Sequence, residues 1–312
     1  MFGQRVKYRN AVLFVVLAAV WGSAFTAIRA GLEYFPPVLF AALRYDLAGI
    51  IVFGYAVYAT DRWRPRERGE WVVVTIGGVF LIAAYHAFLF VGEQGTTSAA
   101  AAVVVSLSPV LTTGFARLLL PEERLTTLGL IGLAIGFVGV AVLSNPDPGN
   151  LATTRTVSLG LVFLATVSFA LGSVLTRRVE ENLPIETMEA WSMCLGALLM
   201  HGLSVGLGES IRGVEWTGEG LIALAYLSLV ASAAGFLIYF DLLDRLGPIE
   251  INLVSYAAPF AAAVTGVVFL SETPTVFTAV GFGLICCGFV LIKREAIRDE
   301  VAGMRSASVS GD

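Results

Sequence analysis

Long apolar runs extend along most of the chain, separated by short breaks that contain proline, glycine or charged residues. An α-helix needs about 20 apolar residues to cross the hydrocarbon core of a bilayer. Runs such as "AVLFVVLAAVW" are continuously apolar and lack the alternation of a membrane β-strand. The pattern therefore predicts ten helices, at about 11–31, 37–59, 70–91, 98–120, 126–143, 157–178, 186–206, 219–241, 248–270 and 276–292.

The composition also indicates a membrane protein. Hydrophobic residues make up 57% of the sequence and charged residues only 14%, and the mean hydropathy is +0.81. Soluble domains usually have about a quarter of their residues charged. We therefore predict an all-α membrane protein that crosses the bilayer several times.

The first apolar run follows three basic residues, Arg5, Lys7 and Arg9, and so resembles a secretory signal peptide. The run continues past Trp21 to Ile28 without a clear cleavage site of small residues. We interpret it as a retained first helix, with a cleaved signal peptide as the alternative.

Basic residues are distributed unevenly between the predicted loops. If the N-terminus is cytoplasmic, the arginine-rich loop 60–69 and both chain ends lie inside, and the loops on the other side contain only Arg155 and Arg212 as basic residues. Cytoplasmic loops of membrane proteins are enriched in Lys and Arg. This asymmetry predicts a multi-pass protein of the cytoplasmic membrane with both termini in the cytoplasm.

The two halves of the chain match each other in order and at a nearly constant spacing. The corresponding residues are Pro109 and Pro259, Glu123 and Glu272, Gly132 and Gly281, and Gly139 and Gly288. Each half contains five predicted helices, an odd number, so the halves must cross the membrane in opposite senses. Such inverted repeats are typical of secondary transporters. The glycines favour close helix packing, and a sliding seam is the alternative.

The repeat divides the chain into five parts. They are a cytoplasmic N-terminus (1–10), a first five-helix repeat (11–143), an external linker (144–156), a second five-helix repeat (157–292) and a cytoplasmic tail (293–312). The tail is polar and then rich in serine and glycine, and we predict that it is disordered.

These motifs resemble those of the EamA-type transporters in the drug/metabolite transporter superfamily. The matching stretches are "WGSAF" and "ALRY" in the first two helices, "SPV" with "PEE" near the fourth, and "APF" with "LSETPT" near the ninth. The resemblance covers essentially all of 11–292. It implies ten helices in two inverted bundles around a central cavity, and transport of amino acids, nucleotide sugars, phosphorylated metabolites or drugs, often outward.

Two charged residues, Arg44 and Asp46, lie inside the second predicted helix. A central charge in a membrane helix costs about 2.5–3.5 kcal/mol on insertion scales. Residues two apart point to different sides of a helix, so these two are not partners of each other. We predict that Arg44 lines the cavity, with a structural bond to a neighbouring helix as the alternative. We keep Asp46 as a candidate for proton coupling.

The third predicted helix carries His86, Phe90 and Glu93 on one face, at i, i+4 and i+7. Histidine within a membrane is a candidate for substrate contact and, because of its usual pKa, for proton coupling. For His86, a packed, hydrogen-bonded neutral histidine is the interpretation we favour over either role. Glu93 is a second coupling candidate unless it is solvated at the helix end. Tyr85 is a further cavity candidate.

The ninth predicted helix carries Asn252, Tyr256 and Pro259 on one face, and the fourth carries Ser106 and Pro109 at corresponding places. Polar groups that differ between duplicated faces suit an asymmetric small molecule, so Asn252, Tyr256 and Ser106 are cavity candidates. Interhelical hydrogen bonds are the alternative. Both prolines are candidate hinges, with packing as the alternative.

Two aromatic residues, Trp21 and Tyr239, complete the candidates for the cavity. Trp21 belongs to the "WGSAF" stretch, whereas the sixth predicted helix has "SFALGS" at the corresponding place. A role for a tryptophan would therefore belong to one half of the protein.

The leading hypothesis is a secondary transporter that exports a small organic metabolite of amino-acid-like, nucleotide-linked or drug-like character. A channel-like facilitator and a membrane receptor of the same fold are the alternatives. The chain has no HExxH or Walker motif, so we do not expect an enzyme.

Cysteine content and motifs also limit the expected partners. Cys194, Cys286 and Cys287 fit neither a disulfide framework nor a zinc site. We expect no metal and no cofactor. The expected partners are a small-molecule substrate and the lipid bilayer, without nucleic acid, and the protein is predicted to be a monomer or a homodimer.

Overall fold

Helices form every regular element in the residues that the structure describes. A computed structural model describes residues 2–120, 127–144, 153–179, 181–246, 251 and 253–309. The helices are α1 (Phe2–Gly31), α2 (Pro37–Ala59), α3 (Arg68–Glu93), α4 (Ser98–Leu119), α5 (Thr127–Ser144), α6 (Thr154–Arg178), α7 (Ile185–Gly206), α8 (218–246), α9 (Val254–Leu270) and α10 (Val276–Val309). A short 3₁₀ helix, Ile211–Gly213, precedes α8.

The lengths and compositions of these helices suit a bilayer. Within the described residues, α1, α2, α3, α4, α6 and α8 contain six stretches long and apolar enough to cross a membrane, and α5, α9 and α10 contain shorter apolar helices. The remaining helix, α7, has 22 residues and carries two carboxylates, Glu186 and Glu189. The prediction of an all-helical membrane protein is confirmed.

A helix lies in the described part of each predicted range, and the differences are at the ends. The first helix begins at Phe2, ahead of the basic residues, and the last continues to Val309, where the composition predicts a disordered tail. Apolar runs report the part of a helix that contacts lipid, so they do not reveal its polar extensions.

The third and eighth helices change from α-helical to π-helical geometry near their middles. The π-helical segments are Gly77–Ala84 in α3 and Tyr226–Ala234 in α8. They occupy corresponding places in the two halves of the chain. π-helical turns are rare and occur frequently at functional sites.

The two duplicated prolines have different effects on their helices. Helix α4 is interrupted at Ser106 and Leu107, and Pro109 stands in the first turn of its second segment. A proline there sacrifices no helical hydrogen bond, because the first N–H groups of a helix have no partner within it. Pro259 lies inside α9, which continues through it.

Duplicated glycines bring α5 and α10 into direct contact. A Cβ atom on Gly139 would lie 2.7 Å from the carbonyl oxygen of Gly281, and one on Gly288 would lie 2.5 Å from the carbonyl oxygen of Gly132. Contacting residue numbers rise along α5 as they fall along α10, so the helices are antiparallel. Gly139 contacts the repeat counterpart of Gly132, and Gly132 contacts the repeat counterpart of Gly139. This crossed pairing is expected for two inverted copies.

Contacts between other helices of the two halves show the relative directions of those helices. Helices α2 and α7 are antiparallel, since Asp46 contacts His201 and Thr60 contacts Thr187. Helices α1 and α9 are parallel, since Gly22 contacts Ala258 and, further along both helices, the hydroxyl groups of Thr26 and Thr265 are 2.6 Å apart. These directions fit helices that cross a membrane alternately.

The bundle has two polar ends and an apolar perimeter. We call the end that contains the arginine-rich loop 60–67 the basic end, and the end that contains Glu33, Glu209 and Glu272 the acidic end. Large apolar side chains point outward between them, including Ile50, Leu198 and Val205, with exposed fractions of 70%, 67% and 76%. A lipid-facing perimeter explains this pattern, because lipid tails favour apolar side chains.

Candidate functional site in the bundle interior

Arg44 on α2 points into the bundle and is buried. Its Nε donates a hydrogen bond to the hydroxyl of Ser232 on α8, at 2.8 Å. Its guanidinium lies 5.2 Å from the centre of the Tyr45 ring. Ser232 and Tyr45 are both uncharged, and the described residues include no carboxylate in an ion pair with Arg44. Among the described residues, this interior cation thus has no anion in direct contact.

Tyr45 and His86 form a buried pair beside Arg44. The tyrosine hydroxyl is 2.8 Å from His86 Nε2, and His86 Nδ1 is 2.9 Å from the carbonyl oxygen of Ile82 in the π-helical segment of α3. A carbonyl only accepts hydrogen bonds, so Nδ1 is the donor, and in a neutral ring Nε2 accepts from Tyr45. Both ring nitrogens of His86 are therefore hydrogen-bonded within the bundle.

Tyr85 extends the aromatic cluster towards α6. Its ring lies 4.5 Å from the His86 ring and 5.3 Å from the Phe169 ring, measured between centroids. Tyr85 is half-buried, and it is close enough to Arg44 and Tyr45 to interact with them electrostatically. The structure thus brings two adjacent residues of α2, Arg44 and Tyr45, together with two adjacent residues of α3, Tyr85 and His86.

Trp21 and Tyr239 contact each other, although they belong to different repeats. Their ring centroids are 5.5 Å apart, and Trp21 also contacts Phe236. Trp21 Nε1 donates to the carbonyl oxygen of Ala231, at 3.1 Å, within the π-helical segment of α8. A Cβ atom on Gly235 would lie 2.8 Å from Trp21 Nε1, so glycine makes room for the indole.

The candidates on α4 and α9 are separate from this cluster. Ser106 is fully buried, and its hydroxyl donates to the carbonyl oxygen of Val103, at 2.7 Å, where α4 is interrupted. The buried hydroxyl of Tyr256 has no hydrogen-bond partner among the described residues, and its ring packs against Phe289. Asn252 lies outside the described residues.

Glu93 is wholly buried, so it is not solvated at its helix end. Its side chain has 0% exposure, and neither carboxylate oxygen has a hydrogen-bond partner in the described part of the chain. Arg29, Arg44 and Glu272 lie within electrostatic range of it. An unpartnered buried carboxyl group is unusual, because burial without a donor costs free energy.

Asp46 lies on the perimeter of the bundle, away from Arg44. Its carboxylate is 2.7 Å from His201 Nε2 on α7, and both side chains are more than a third exposed. The neighbouring Leu47 and Ile50 also point outward. Sequence reasoning did not identify His201, because only the packing of α2 on α7 brings the two residues together.

Glu189 is a buried carboxylate that sequence reasoning missed. It lies on α7, with an exposed fraction of 8%, within electrostatic range of Tyr45 and Tyr239. No ion pair joins it to a basic residue within the described ranges. Its position within an apolar run could have indicated a buried carboxylate. However, Glu189 lies near the start of α7, close to a loop, where a carboxylate is expected to be solvated.

The polar interior consists of single groups and pairs. In the described part of the chain, no group of three or more His, Cys, Asp or Glu side chains could hold a metal ion. The ionisable groups extend through the bundle in the order Glu189, Tyr45, Arg44 and Glu93, each within electrostatic range of the next. Intramembrane ionisable groups that face a bundle interior typically mark substrate or ion pathways.

These features define a multi-pass helical membrane protein with ionisable groups enclosed between two inverted halves. The chain belongs to the EamA-like transporter family, whose model matches it twice, over residues 9–145 and 156–294. Two matches, one in each half, fit a two-repeat fold. The family resemblance that the motifs indicated is confirmed.

Known relatives agree with this assignment. The chain is 26% identical over 289 residues to an uncharacterized transporter of Archaeoglobus fulgidus, covering 91% of this chain and 98% of that protein. It is 28% identical over 278 residues to the uncharacterized inner membrane transporter YedA of Escherichia coli K12, covering 88% of each. The protein is thus a membrane transporter.

A solved structure shares the fold. It is described as "Crystal structure of protein", matches with a TM-score of 0.65 and 23% sequence identity, and covers 94% of this chain and 99% of that chain. At this identity the likeness concerns the fold alone.

Proposed function

We propose that the protein is a secondary transporter that moves a small organic metabolite with an anionic group across the cytoplasmic membrane by alternating access. The observation that carries this proposal is the buried guanidinium of Arg44, whose hydrogen-bond partner is the neutral hydroxyl of Ser232. Buried charges are normally paired, because an isolated charge is costly in an apolar interior. A carboxylate or phosphate of the substrate would supply the missing anion.

The arrangement of the two halves supports alternating access. Inverted repeats give a transporter two related conformations, each open to one side of the membrane. The antiparallel contact of α5 with α10 and the paired π-helical segments fit that symmetry. We propose that the basic end faces the cytoplasm, following the distribution of Lys and Arg. Export is the direction we propose, as in many transporters that the chain resembles.

Ligand binding is tested first, with purified protein in detergent or nanodiscs. A ligand that binds the native state raises its stability, by about 2.7 kcal/mol at a concentration of 100 Kd. We expect some carboxylated or phosphorylated metabolites to raise the melting temperature of the wild type and Arg44→Gln to abolish that rise. Arg64→Gln changes an exposed arginine of the basic end and is the matched control. Equal ligand shifts in all three proteins would overturn the role of Arg44.

Transport is tested with a stabilising solute in proteoliposomes. A carrier shows saturable flux that is stimulated by the same solute on the opposite side. Flux that is linear with concentration and indifferent to solute on the other side indicates a channel-like facilitator. Binding without any flux indicates a receptor, and either result contradicts the proposal.

We further propose that His86 and Glu93 take part in proton coupling, because both are buried within the bundle. We expect His86→Gln and Glu93→Gln to reduce flux driven by a pH gradient. Asp46→Asn, on the perimeter, should retain that flux, and it is the control for removing an ionisable group from a membrane helix. If flux ignores the pH gradient and all three substitutions, proton coupling through these residues is wrong.

A further inference from the structure

The turn between α3 and α4, at the acidic end, is held by two opposite charges from outside that helix pair. Arg29 on α1 donates through Nη1 to the carbonyl oxygens of Glu93, at 2.9 Å, and Gln94, at 2.6 Å. The carboxylate of Glu272 accepts from the backbone N–H of Ser98 at 3.0 Å, and from the Ser98 hydroxyl at 3.0 Å.

Each charge complements the helix end that it contacts. The last carbonyl groups of a helix carry partial negative charge, and its first N–H groups carry partial positive charge. The Arg29 cation therefore stabilises the end of α3, and the Glu272 anion stabilises the start of α4. We call Arg29, Glu272 and the turn between them the helix-end clamp.

The loop that carries Glu272 is built to present its carboxylate. Ser271 adopts a left-handed backbone conformation, with φ of 53°, and Glu272 N donates to the carbonyl oxygen of Gly266 at 3.0 Å. A Cβ atom on Gly266 would lie 2.5 Å from Glu272 Oε2, so a larger residue there would displace the carboxylate. This loop joins α9 to α10 in the second repeat, whereas Ser98 belongs to the first. The anionic contact of the clamp therefore joins the two halves.

The clamp lies against a cavity at the acidic end. The cavity has a volume of about 440 Å³, and its lining includes Arg29, Glu33, Thr96 and Glu272. Glu93, immediately before the clamped turn, is within electrostatic range of Arg29 and Glu272 and is wholly buried. While the clamp is closed, the carboxyl group of Glu93 is thus isolated from solution at this end.

We propose that the helix-end clamp is the gate that closes the transport pathway at the acidic end. The proposal rests on the alternating access proposed above, which requires contacts between the halves to break at one end at a time. On opening, Glu272 releases Ser98, the loop between α9 and α10 separates from α4, and Glu93 becomes accessible to water. The freed N–H and carboxylate groups are then hydrated, so the contact is easily reversible.

The gate is tested by measuring the distance between the α3–α4 turn and the α9–α10 loop. Spin labels on cysteines at Gln94 and Thr273, both exposed, report it by double electron–electron resonance in nanodiscs, after replacement of the three native cysteines by alanine. Glu272→Gln removes the charge but keeps an acceptor oxygen, and Glu272→Ala removes both. Glu33→Gln removes a carboxylate from the same cavity, and the described contacts give Glu33 no bond to the clamp.

We expect Glu272→Ala to raise the ratio of long to short distances about tenfold, equivalent to about 1.4 kcal/mol. Glu272→Gln should have a smaller effect in the same direction, and Glu33→Gln should have none. Ser98→Ala removes only the hydroxyl contact, so it tests the gate by a second route if a Glu272 variant does not fold. Thermal unfolding establishes which variants are folded.

The outcomes separate the gate from the proposed function. Unchanged distances in folded Glu272→Ala and Ser98→Ala proteins overturn the gate, even if the wild type transports with trans-stimulation; Glu272 is then a static helix cap. Altered distances in a protein that transports nothing overturn the proposed function and leave a conformational switch at the acidic end.

Discussion

Arg44 and Asp46 show how far the surroundings of two nearby residues can differ on one membrane helix. Arg44 points into the bundle and contacts Ser232, whereas Asp46 points outward and pairs with His201. Because helical residues two apart point to different sides, one helix supplies both an interior cation and a perimeter anion. The two charges therefore belong to separate sites.

The bond between Tyr45 and His86 gives a prediction at the residue scale. Tyr45→Phe leaves His86 Nε2 buried without its donor, and a buried acceptor that loses its partner typically costs about 1–3 kcal/mol. We expect a loss of unfolding free energy in that range, measured by denaturant titration in detergent.

Tyr58→Phe is the matched control, because it removes the same hydroxyl from a side chain on α2 that is 90% exposed. Its unfolding free energy should stay within about 0.5 kcal/mol of the wild type. Equal effects of the two substitutions would contradict the buried bond.

Close packing of α5 on α10 depends on glycines, which have no side chain at the contact. Backbone carbonyls of one helix occupy the space where Cβ atoms of the other would lie, at both ends of a symmetric seam. Small residues at such seams let membrane helices approach closely. The glycine repeat predicted this packing, although the partner of each glycine follows only from the inverted arrangement.

Gly281→Ala tests the seam at the scale of the element. The new methyl group would lie 2.6 Å from the Gly139 carbonyl oxygen, and such overpacking typically costs about 1–3 kcal/mol. Gly283→Ala, two residues along the same helix, places its methyl group in open space and should be neutral or stabilising. Unfolding in detergent measures both, and equal destabilisation would contradict the seam.

The whole molecule is organised by the opposition of its two halves. Helix directions, the crossed glycine pairs and the clamp between Glu272 and Ser98 all join one repeat to the other. The two halves are thus in contact at the acidic end and along the α5–α10 seam, as the proposed alternating access requires.

The orientation of the whole molecule in the membrane can be tested by cysteine labelling. In cells that express cysteine-free protein with one added cysteine, an impermeant maleimide should label Gln94→Cys in intact cells. Arg64→Cys should react only after permeabilisation, because arginine-rich loops stay in the cytoplasm. Both positions are exposed. The reverse pattern would invert the proposed orientation, and labelling of both from outside would contradict the alternation of the helices.

The sequence by itself determined the membrane class, the helical elements and the duplication. Length and apolar content specify a membrane helix locally, and a repeat is a property of residue order, so neither requires a partner from elsewhere in the chain. The sequence also identified Arg44, His86 and Glu93 as unusual, because charged and ionisable groups stand out against apolar runs.

Only the tertiary structure decided what those residues contact. Ser232 is far from Arg44 in the chain, and His201 is far from Asp46, so neither pair follows from local spacing. Burial of Glu93 and Glu189 likewise depends on which helices cover them. Helix periodicity shows which residues share a face, but the identity of the opposing helix, and hence each buried polar partner, is determined by the packing of the two halves.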